Sequence, residues 1–279
     1  MSSLTVEAPA KLNLTLRVLR KREDGFHEID SWMVRLPGLH DTLTFADAEA
    51  DSFTCNDPSV PSDDSNLVLK ALAAYRAETG FARPLAIHLE KRVPHGAGLG
   101  GGSSDAAATL AALDRLHDQP LGTERLMEIA ATFGSDIPFF LGTPSARSTG
   151  RGEVIVATEP PPPLPVLLLK PSFGVATPDA YRNCMGAKGL DGVRYESQAF
   201  PWGELVNDLE RPVFWKHLFL AEVKTWLLGR EEVAGALMSG SGSTMFAVLH
   251  DLTKADAVIA AAREELDPTL WAWSGEVGG

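Results

Sequence analysis

Apolar and polar residues alternate along several stretches of the chain with the two-residue period of a β-strand. The pattern is clearest at residues 4–19, which are rich in Leu, Val and Thr and predict one or two strands. The segments 41–45 (DTLTF), 85–89 (LAIHL) and 166–169 (VLLL) predict further strands.

A second pattern, with apolar residues three and four positions apart, predicts helices between these strands. Residues 66–79 (NLVLKALAAYRAET) follow it. Further helices are expected in the alanine-rich segment that opens at Ser103 and Ser104, at 124–133 and at 254–266. The two patterns together predict a mixed α and β fold.

One proline-rich segment divides the chain. The prolines of 159–165 (EPPPPLP) can continue neither a helix nor a central strand, so the segment predicts a stiff connector. We therefore expect an N-terminal domain at 1–158 and a C-terminal domain at 159–279. The second domain contains a turn of small residues, MSGSGSTM at 238–245, after an apolar strand.

Composition narrows the class of protein. The 279 residues are 44% hydrophobic, which is enough for one large or two ordinary cores. The formal charge is −12, so an extended surface for nucleic acid or anionic lipid is not expected. Cys55 and Cys184 fit neither a disulfide framework nor a CxxC metal site. The N-terminus has no signal-peptide pattern and no apolar run approaches a membrane span, so we expect a cytoplasmic protein.

The most distinctive segment is PHGAGLGGGSSD at 94–105. Its five glycines leave main-chain N–H groups unshielded and permit positive φ angles, and a helix is predicted to follow them. Because helix N-termini attract anions, the segment predicts a site for a di- or triphosphate. A flexible surface loop before a capped helix is the alternative. A Walker A loop would need a lysine after the glycines, and the spacing fits the dinucleotide fingerprint G-x-G-x-x-G poorly.

The string Pro-x-x-x-Gly-Leu-Gly-Gly-Gly-Ser-Ser-x-Ala-Ala resembles the nucleotide loop of the GHMP kinases, the family of galactose, homoserine, mevalonate and phosphomevalonate kinases. Segments 8–14 (APAKLNL) and 238–246 (MSGSGSTMF) resemble the first and third motifs of that family, in the same order. The resemblance implies an ATP-dependent phosphotransferase that acts on an alcohol group. It also implies an α+β, two-domain GHMP kinase fold, with a ribosomal protein S5 domain 2-like N-terminal domain and a ferredoxin-like C-terminal domain.

Four segments resemble the branch of this family that phosphorylates a cytidine diphosphate derivative of methylerythritol (CDP-methylerythritol). They are 8–14, 24–28 (DGFHE), 134–142 (GSDIPFFLG) and 207–210 (NDLE). The resemblance implies transfer of the ATP γ-phosphoryl group to the 2-hydroxyl of the methylerythritol unit, in non-mevalonate isoprenoid precursor biosynthesis. The alternatives are another small-molecule kinase of the family, of homoserine or mevalonate type, and a nucleotide sensor without activity.

The resemblance implies catalytic roles for Lys11 and Asp136. Asp136 matches the base that takes the proton of the attacking hydroxyl, and Lys11 matches the lysine that offsets the developing charge. Judged singly, an exposed strand lysine and a helix cap would be the better explanations.

Recognition of cytosine requires aromatic faces and a hydrogen-bonding edge. His27 matches the histidine that reads the base, and Phe26 keeps a stacking face where many relatives carry tyrosine. Tyr181 is the candidate for a second aromatic wall, although a core or surface position would also explain it. Asn13 and Asp136 are expected near the methylerythritol hydroxyls.

The implied ATP site combines the glycine loop with the predicted helix start at 66. Its residues are Asn66, Leu67, Pro94, Gly96, Gly98, Leu99, Gly100, Gly101, Gly102, Ser103 and Ser104. A plain helix start explains Asn66 equally well. Mg²⁺ is expected to accompany ATP because it neutralises phosphate oxygens, with Ser103 as a candidate protein contact.

Overall fold

The computed structural model describes residues 3–118, 121–182 and 184–279. In these ranges the strands are β1 (Ser3–Lys21), β2 (His27–Asp47), β3 (Ser52–Cys55), β4 (Leu85–Glu90), β5 (Ser145–Gly150), β6 (Val154–Ala157), β7 (Leu164–Lys170), β8 (Gln198–Phe200), β9 (Gly203–Asn207), β10 (Val233–Met238), β11 (Met245–Leu249) and β12 (Trp271–Val277). The helices are α1 (Leu67–Thr79), α2 (Gly101–Leu116), α3 (Gly122–Ala131), α4 (Ile137–Leu141), α5 (Thr177–Arg182), α6 (Glu210–Lys216), α7 (Leu218–Leu228) and α8 (Ala255–Glu265). The α+β class is confirmed.

The chain packs into two compact units that do not follow the order of the sequence. The first contains the described residues of Met1–Ala10, Leu39–His95 and Gly100–Pro144, and the second those of Lys11–Gly38, Gly96–Leu99 and Ser145–Gly279. Strands β1 and β2 therefore contribute residues to both units. The domain boundary expected between 158 and 159 stays a prediction.

In the first unit, β3, β4 and the C-terminal part of β2 form a sheet in that order. Helix α1 packs on α2, and α4 packs on both α2 and α3. The sequence sets both ends of α1. At its start, the Asn66 side-chain oxygen accepts a hydrogen bond from the Val68 N–H at 2.8 Å. At its end, Gly80 adopts a left-handed φ of 71°, which suits glycine.

The second unit contains two groups of strands. In one, β1 pairs in parallel with β9, and β2 pairs antiparallel with β5, which forms a hairpin with β6. In the other, four antiparallel strands follow the order β10–β11–β7–β12, and α7 packs against β10 and β11. Every residue of β11 is buried, as is nearly every residue of β7, because these are the two inner strands of that sheet.

Most of the elements expected from periodicity are present. Segment 4–19 forms one strand, β1, and 41–45 lies near the C-terminal end of the longer strand β2. The helices expected at 66–79, 124–133 and 254–266 correspond to α1, α3 and α8.

Several details differ from expectation. Helix α2 begins at Gly101, two residues before the predicted start at Ser103. Pro165 lies inside β7 rather than in the connector; it pairs with Glu276 of β12, beyond the last residue that β7 shares with β11. Strand β12 was not expected, and neither were the strands β3, β5, β6, β8 and β9 or the helices α5, α6 and α7. None of the helices in the described ranges combines the length and apolar character needed to cross a bilayer.

Candidate functional site

The glycine loop alternates between glycines with positive φ and buried apolar anchors. Gly96, Gly98 and Gly100 have φ angles of 63°, 74° and 72°, a conformation that glycine adopts at little cost. Ala97 and Leu99, between them, are buried to 97% and 99%. The anchors fix the loop, and the glycines have no side chains that would shield their main-chain N–H groups from an anion, as in other anion-binding loops.

Lys11 reaches this loop from β1. Its main-chain N–H donates to Leu99 O at 2.9 Å, and its Nζ donates to Gly98 O at 2.9 Å and to Asn13 Oδ1. Lys11 and Asn13 are 3% and 4% exposed. The structure thus brings together three residues that the sequence predicted for the site: Lys11, Asn13 and Gly98.

A second glycine-containing turn, 239–242, contacts the glycine loop at Ala97 and Gly98, which lie with it in the second unit. Ser239 Oγ donates to Gly98 O at 3.0 Å, and Thr244 N donates to Ala97 O at 3.1 Å. Gly240, with a φ of 56°, approaches so closely that a Cβ built on it would lie 3.1 Å from Lys11 Nζ. We call Lys11, Asn13, Gly98 and Gly240 the lysine cluster.

Ser31 supports the lysine cluster, and sequence reasoning missed it. Asn13 Nδ2 donates to Ser31 Oγ at 2.7 Å, and Ser31 Oγ donates to Thr15 O at 2.6 Å. This fixes the orientation of the Asn13 amide, so that its oxygen points to Lys11. The available signal was a polar residue at a buried position of β2, where Ile29 and Met33 on either side are apolar.

His27 and Tyr181 form a stacked aromatic pair. Their ring centroids are 5.6 Å apart and their planes differ by 29°. Partial burial and the nearby Lys21 charge lower the pKa of His27, which favours the neutral imidazole near pH 7. Phe26 is 53% exposed, and the Arg151 guanidinium lies over its ring at 5.0 Å.

The remaining predicted ATP residues lie mainly in the first unit. Asn66 is buried as the cap of α1, and its Nδ2 donates to Pro61 O at 2.6 Å. Leu67 lies beside the start of α2, because a Cβ on Gly102 would be 3.5 Å from its Cδ1. Pro94 is half-buried just before the loop. Among the described residues, the buried Ser104 Oγ has no hydrogen-bond partner, whereas Ser103 is half-buried.

A buried ionic group anchors the start of α2. Lys91 Nζ bonds Asp105 Oδ2 at 2.9 Å and Asp41 Oδ2 at 2.5 Å. Asp41 Oδ1 also accepts from the N–H groups of Arg92 and Val93, at 2.6 and 2.8 Å. Burial, reinforced by Asp41, raises the pKa of Asp105 to about 7 despite the Lys91 charge. Its Oδ1 is buried without a hydrogen-bond partner among the described residues.

Asp136 directly precedes α4, as the sequence predicted. It is half-buried, with φ −84° and ψ −12°, and its carboxylate makes no capping hydrogen bond to the helix. Ile137 packs back on Gly134, where a Cβ would approach the Ile137 Cγ1 to 2.8 Å. Glycine at 134 therefore leaves room for the Ile137 side chain to pack against the turn before this short helix.

Comparison with known proteins gives a consistent picture. The model of the GHMP kinases N terminal domain matches residues 66–143, and that of the GHMP kinases C terminal domain matches 201–267. The 4-diphosphocytidyl-2-C-methyl-D-erythritol kinase of Protochlamydia amoebophila is 42% identical over 89% of this chain and 85% of that protein.

Solved structures extend the comparison. A crystal structure of 4-(cytidine 5'-diphospho)-2C-methyl-D-erythritol kinase superposes with a TM-score of 0.81 and 34% identity, covering 99% of this chain and 100% of the other. A homoserine kinase from Cytophaga hutchinsonii superposes with a TM-score of 0.63 at 16% identity, covering 99% of this chain and 94% of the other. The second match concerns the fold alone.

Proposed function

The chain belongs to the GHMP kinase family, and we propose that it transfers the γ-phosphoryl group of ATP to the 2-hydroxyl of 4-(cytidine 5'-diphospho)-2-C-methyl-D-erythritol. The step belongs to non-mevalonate isoprenoid precursor biosynthesis, and relatives 34% and 42% identical carry this kinase activity in their names. A cytoplasmic location is part of the proposal and rests on the sequence.

The observation that carries the choice of substrate is the stacking of His27 on Tyr181. The two residues are far apart in the chain. His27 is expected to contact cytosine because it matches the histidine that reads the base, and Tyr181 because it is the candidate second aromatic wall. An imidazole provides a hydrogen-bonding edge, and a phenol ring provides a flat apolar face. Such a pair suits a nucleobase, whereas mevalonate and homoserine have no aromatic group for it to bind.

In the proposed reaction, the glycine loop holds the phosphates of ATP through its main-chain N–H groups. Asp136 accepts the proton of the 2-hydroxyl as that oxygen attacks the γ-phosphorus, and ADP leaves from the opposite side. Lys11 stabilises the negative charge that develops on the transferred group, from a position fixed by Asn13 and Gly98. Asn66 and Leu67 contribute to the adenine side.

Mg²⁺ is also part of the proposal. Among the described residues, no group of three or more His, Cys, Asp or Glu side chains is arranged to hold a metal. The unpartnered Ser104 hydroxyl is an oxygen donor at the start of α2, and Ser103 is its neighbour. The ion would therefore be held mainly by phosphate oxygens and water, with these serines as protein contacts, and would neutralise phosphate charge.

A comparison of acceptors tests the proposed function. ADP release is measured with ATP and, in parallel, CDP-methylerythritol, mevalonate or homoserine. We expect kcat/KM for CDP-methylerythritol to exceed the other two by about 1,000-fold or more, since buried polar groups left unpaired penalise a substrate without the base. Turnover with mevalonate or homoserine alone would overturn the choice of substrate.

Replacing the proposed base gives a sharper test. In Asp136→Asn, kcat should fall by about 100- to 10,000-fold, because the amide cannot accept the proton. The dissociation constant of a non-hydrolysable ATP analogue should stay within about threefold. Asp251→Asn is the matched control, since Asp251 also precedes a short helix, the 3-10 turn Leu252–Lys254, whose Thr253 N–H it binds. Unchanged turnover in Asp136→Asn would remove Asp136 from the mechanism.

A further inference from the structure

Strand β10 is the outer strand of its sheet, so one row of its main-chain groups faces away from β11. Side chains, rather than another strand, satisfy these groups at two positions. At Ala236, the Gln198 amide binds both main-chain groups: its Nε2 donates to Ala236 O at 2.9 Å, and its Oε1 accepts from Ala236 N at 3.1 Å. Gln198 is 4% exposed.

Two side chains perform the same task at Met238, the last residue of β10. Glu210 Oε1 accepts from Met238 N at 2.9 Å, and Asn207 Nδ2 donates to Met238 O at 2.7 Å. The other Glu210 oxygen binds the buried Lys224. Burial raises the pKa of Glu210, and the Lys224 charge opposes that shift.

Asn207 extends beyond the strand, which Gln198 does not. The same Nδ2 also donates to Gly240 O at 2.8 Å, while its Oδ1 accepts from Leu209 N at 2.9 Å. Both N–H groups of the amide are therefore occupied, each by a carbonyl on one side of Ser239. The side chain is 2% exposed, so water cannot replace these bonds.

The bond to Gly240 O ties Asn207 to the 239–242 turn, and Gly240 is itself a member of the lysine cluster. Ser239 Oγ donates to Gly98 O at 3.0 Å, and Gly240 lies against Lys11 Nζ and Asn13 Oδ1. A shift of the carbonyls on either side of Ser239 would move both contacts together. Displacements of about 1 Å can cost a reaction about 100-fold in rate.

We propose that Asn207 is a positioning residue for phosphoryl transfer: its amide fixes the 239–242 turn and thereby the place of Lys11 and Gly98. This gives the NDLE segment, which the sequence singled out as a family resemblance, a physical role. The inference rests on the proposed function for its kinetic readout. The alternative is that Asn207, like Gln198, only satisfies main-chain groups of the edge strand β10 and has no effect on the reaction.

The two amides supply matched variants. Asn207→Asp and Gln198→Glu keep the shape and remove donors, and Asn207→Leu with Gln198→Met repeats the comparison without introducing charge. We expect thermal stability to fall in all four variants, because each removes buried hydrogen bonds. In the Asn207 variants kcat should fall about 100-fold, with both KM values within about threefold, whereas the Gln198 variants should keep kcat within about threefold. Equal losses of kcat within both pairs, or near wild-type kcat in the Asn207 variants, overturn the proposal.

A second readout does not depend on turnover. Amide hydrogen exchange at 239–244 should become at least about tenfold faster in Asn207→Leu and stay unchanged in Gln198→Met, because only the first releases the turn. Unchanged exchange in Asn207→Leu contradicts the role of Asn207. If the wild-type enzyme does not phosphorylate CDP-methylerythritol, the proposed function fails, and the exchange experiment still decides whether Asn207 holds the turn.

Discussion

The two glycine segments of the molecule are held in different ways. The loop at 94–104 carries much of its own structure in its sequence, since glycines supply the positive φ angles and Ala97 and Leu99 anchor them. The turn at 239–242 depends on residues elsewhere in the chain, with Asn207 bonding the carbonyls of Met238 and Gly240. A motif can therefore be recognisable in sequence while the residue that sets its geometry lies outside it.

The difference has a consequence for substitution. Changes in the loop should act through backbone strain and close main-chain contacts, whereas changes around the turn should act through lost long-range hydrogen bonds. The buried group of Lys91 and Asp105 is an exception on the loop side, because it ties the helix start to a lysine 14 residues earlier.

The largest effect is expected for Gly98→Ala. Its φ of 74° is unfavourable for alanine, and the new Cβ would clash with Ser239 O and lie 3.0 Å from the main-chain N and O of Gly242. Because main-chain atoms cannot swing aside, kcat/KM should fall by about 1,000-fold or more. Gly80→Ala is the control: its φ is 71°, with nothing within 4 Å of the Cβ. It should lose about 1–2 kcal/mol of stability and keep its kinetics. Similar kinetics in both variants would refute the close approach.

An intermediate effect, on stability, is expected for Asp105→Asn. The pKa of Asp105 rises from 3.8 to about 7 on folding, so the folded state binds more protons between these values. The free energy of unfolding contributed by Asp105 therefore falls as pH rises from about 4 to 7. The free energy of unfolding of the wild type relative to the variant should therefore fall over this range, by about 1.4 kcal/mol for each unit by which the folded and unfolded pKa values of Asp105 differ.

Urea unfolding of both proteins at several pH values measures that difference. Asp51→Asn provides a control of opposite sign, since the Arg76 hydrogen bond lowers the pKa of Asp51. The free energy of unfolding of the wild type relative to Asp51→Asn should grow as pH rises through the acidic range. It should reach its full value above the unfolded pKa of Asp51. A difference between wild type and Asp105→Asn that does not vary with pH would contradict the buried, protonatable carboxyl.

The smallest effect is expected for Ser239→Ala, which removes one hydrogen bond between the turn and the loop. Losing the bond to Gly98 O should cost about 1 kcal/mol, or about fivefold in kcat/KM. Ser148→Ala is the control, because Ser148 is also buried and donates to a glycine carbonyl, that of Gly152, at 2.7 Å. It should change stability alone. If kcat/KM fell as much in Ser148→Ala, the loss in Ser239→Ala could not be assigned to its hydrogen bond with Gly98 O.

Local sequence was sufficient for much of the fold. The strand period gave β1, and Asn66 marked the start of α1 because its side chain caps the helix that follows it. The glycines of the loop were likewise visible, since their φ angles are a local property. The start of α2 lies two residues before the predicted one, because serine is a favoured residue at helix N-termini whereas Gly101 already belongs to the helix.

Other features could not be predicted because they depend on contacts between distant segments. Ser31 is an ordinary strand residue until Asn13 is placed beside it. The bonds of Asn207 to Met238 and Gly240 join residues 31 and 33 positions apart, a separation that no periodicity reports. For Lys11, the family resemblance predicts its role, but its hydrogen-bond partners Asn13 and Gly98 are evident only from the fold.

The most direct test of the account is the structure of a complex with a non-hydrolysable ATP analogue and CDP-methylerythritol. We predict that cytosine lies against His27 and Tyr181, and that the β- and γ-phosphates contact Gly96–Leu99 and Lys11 Nζ. A cytosine bound away from His27 and Tyr181, or phosphates without contact to Lys11 and the loop, would contradict it.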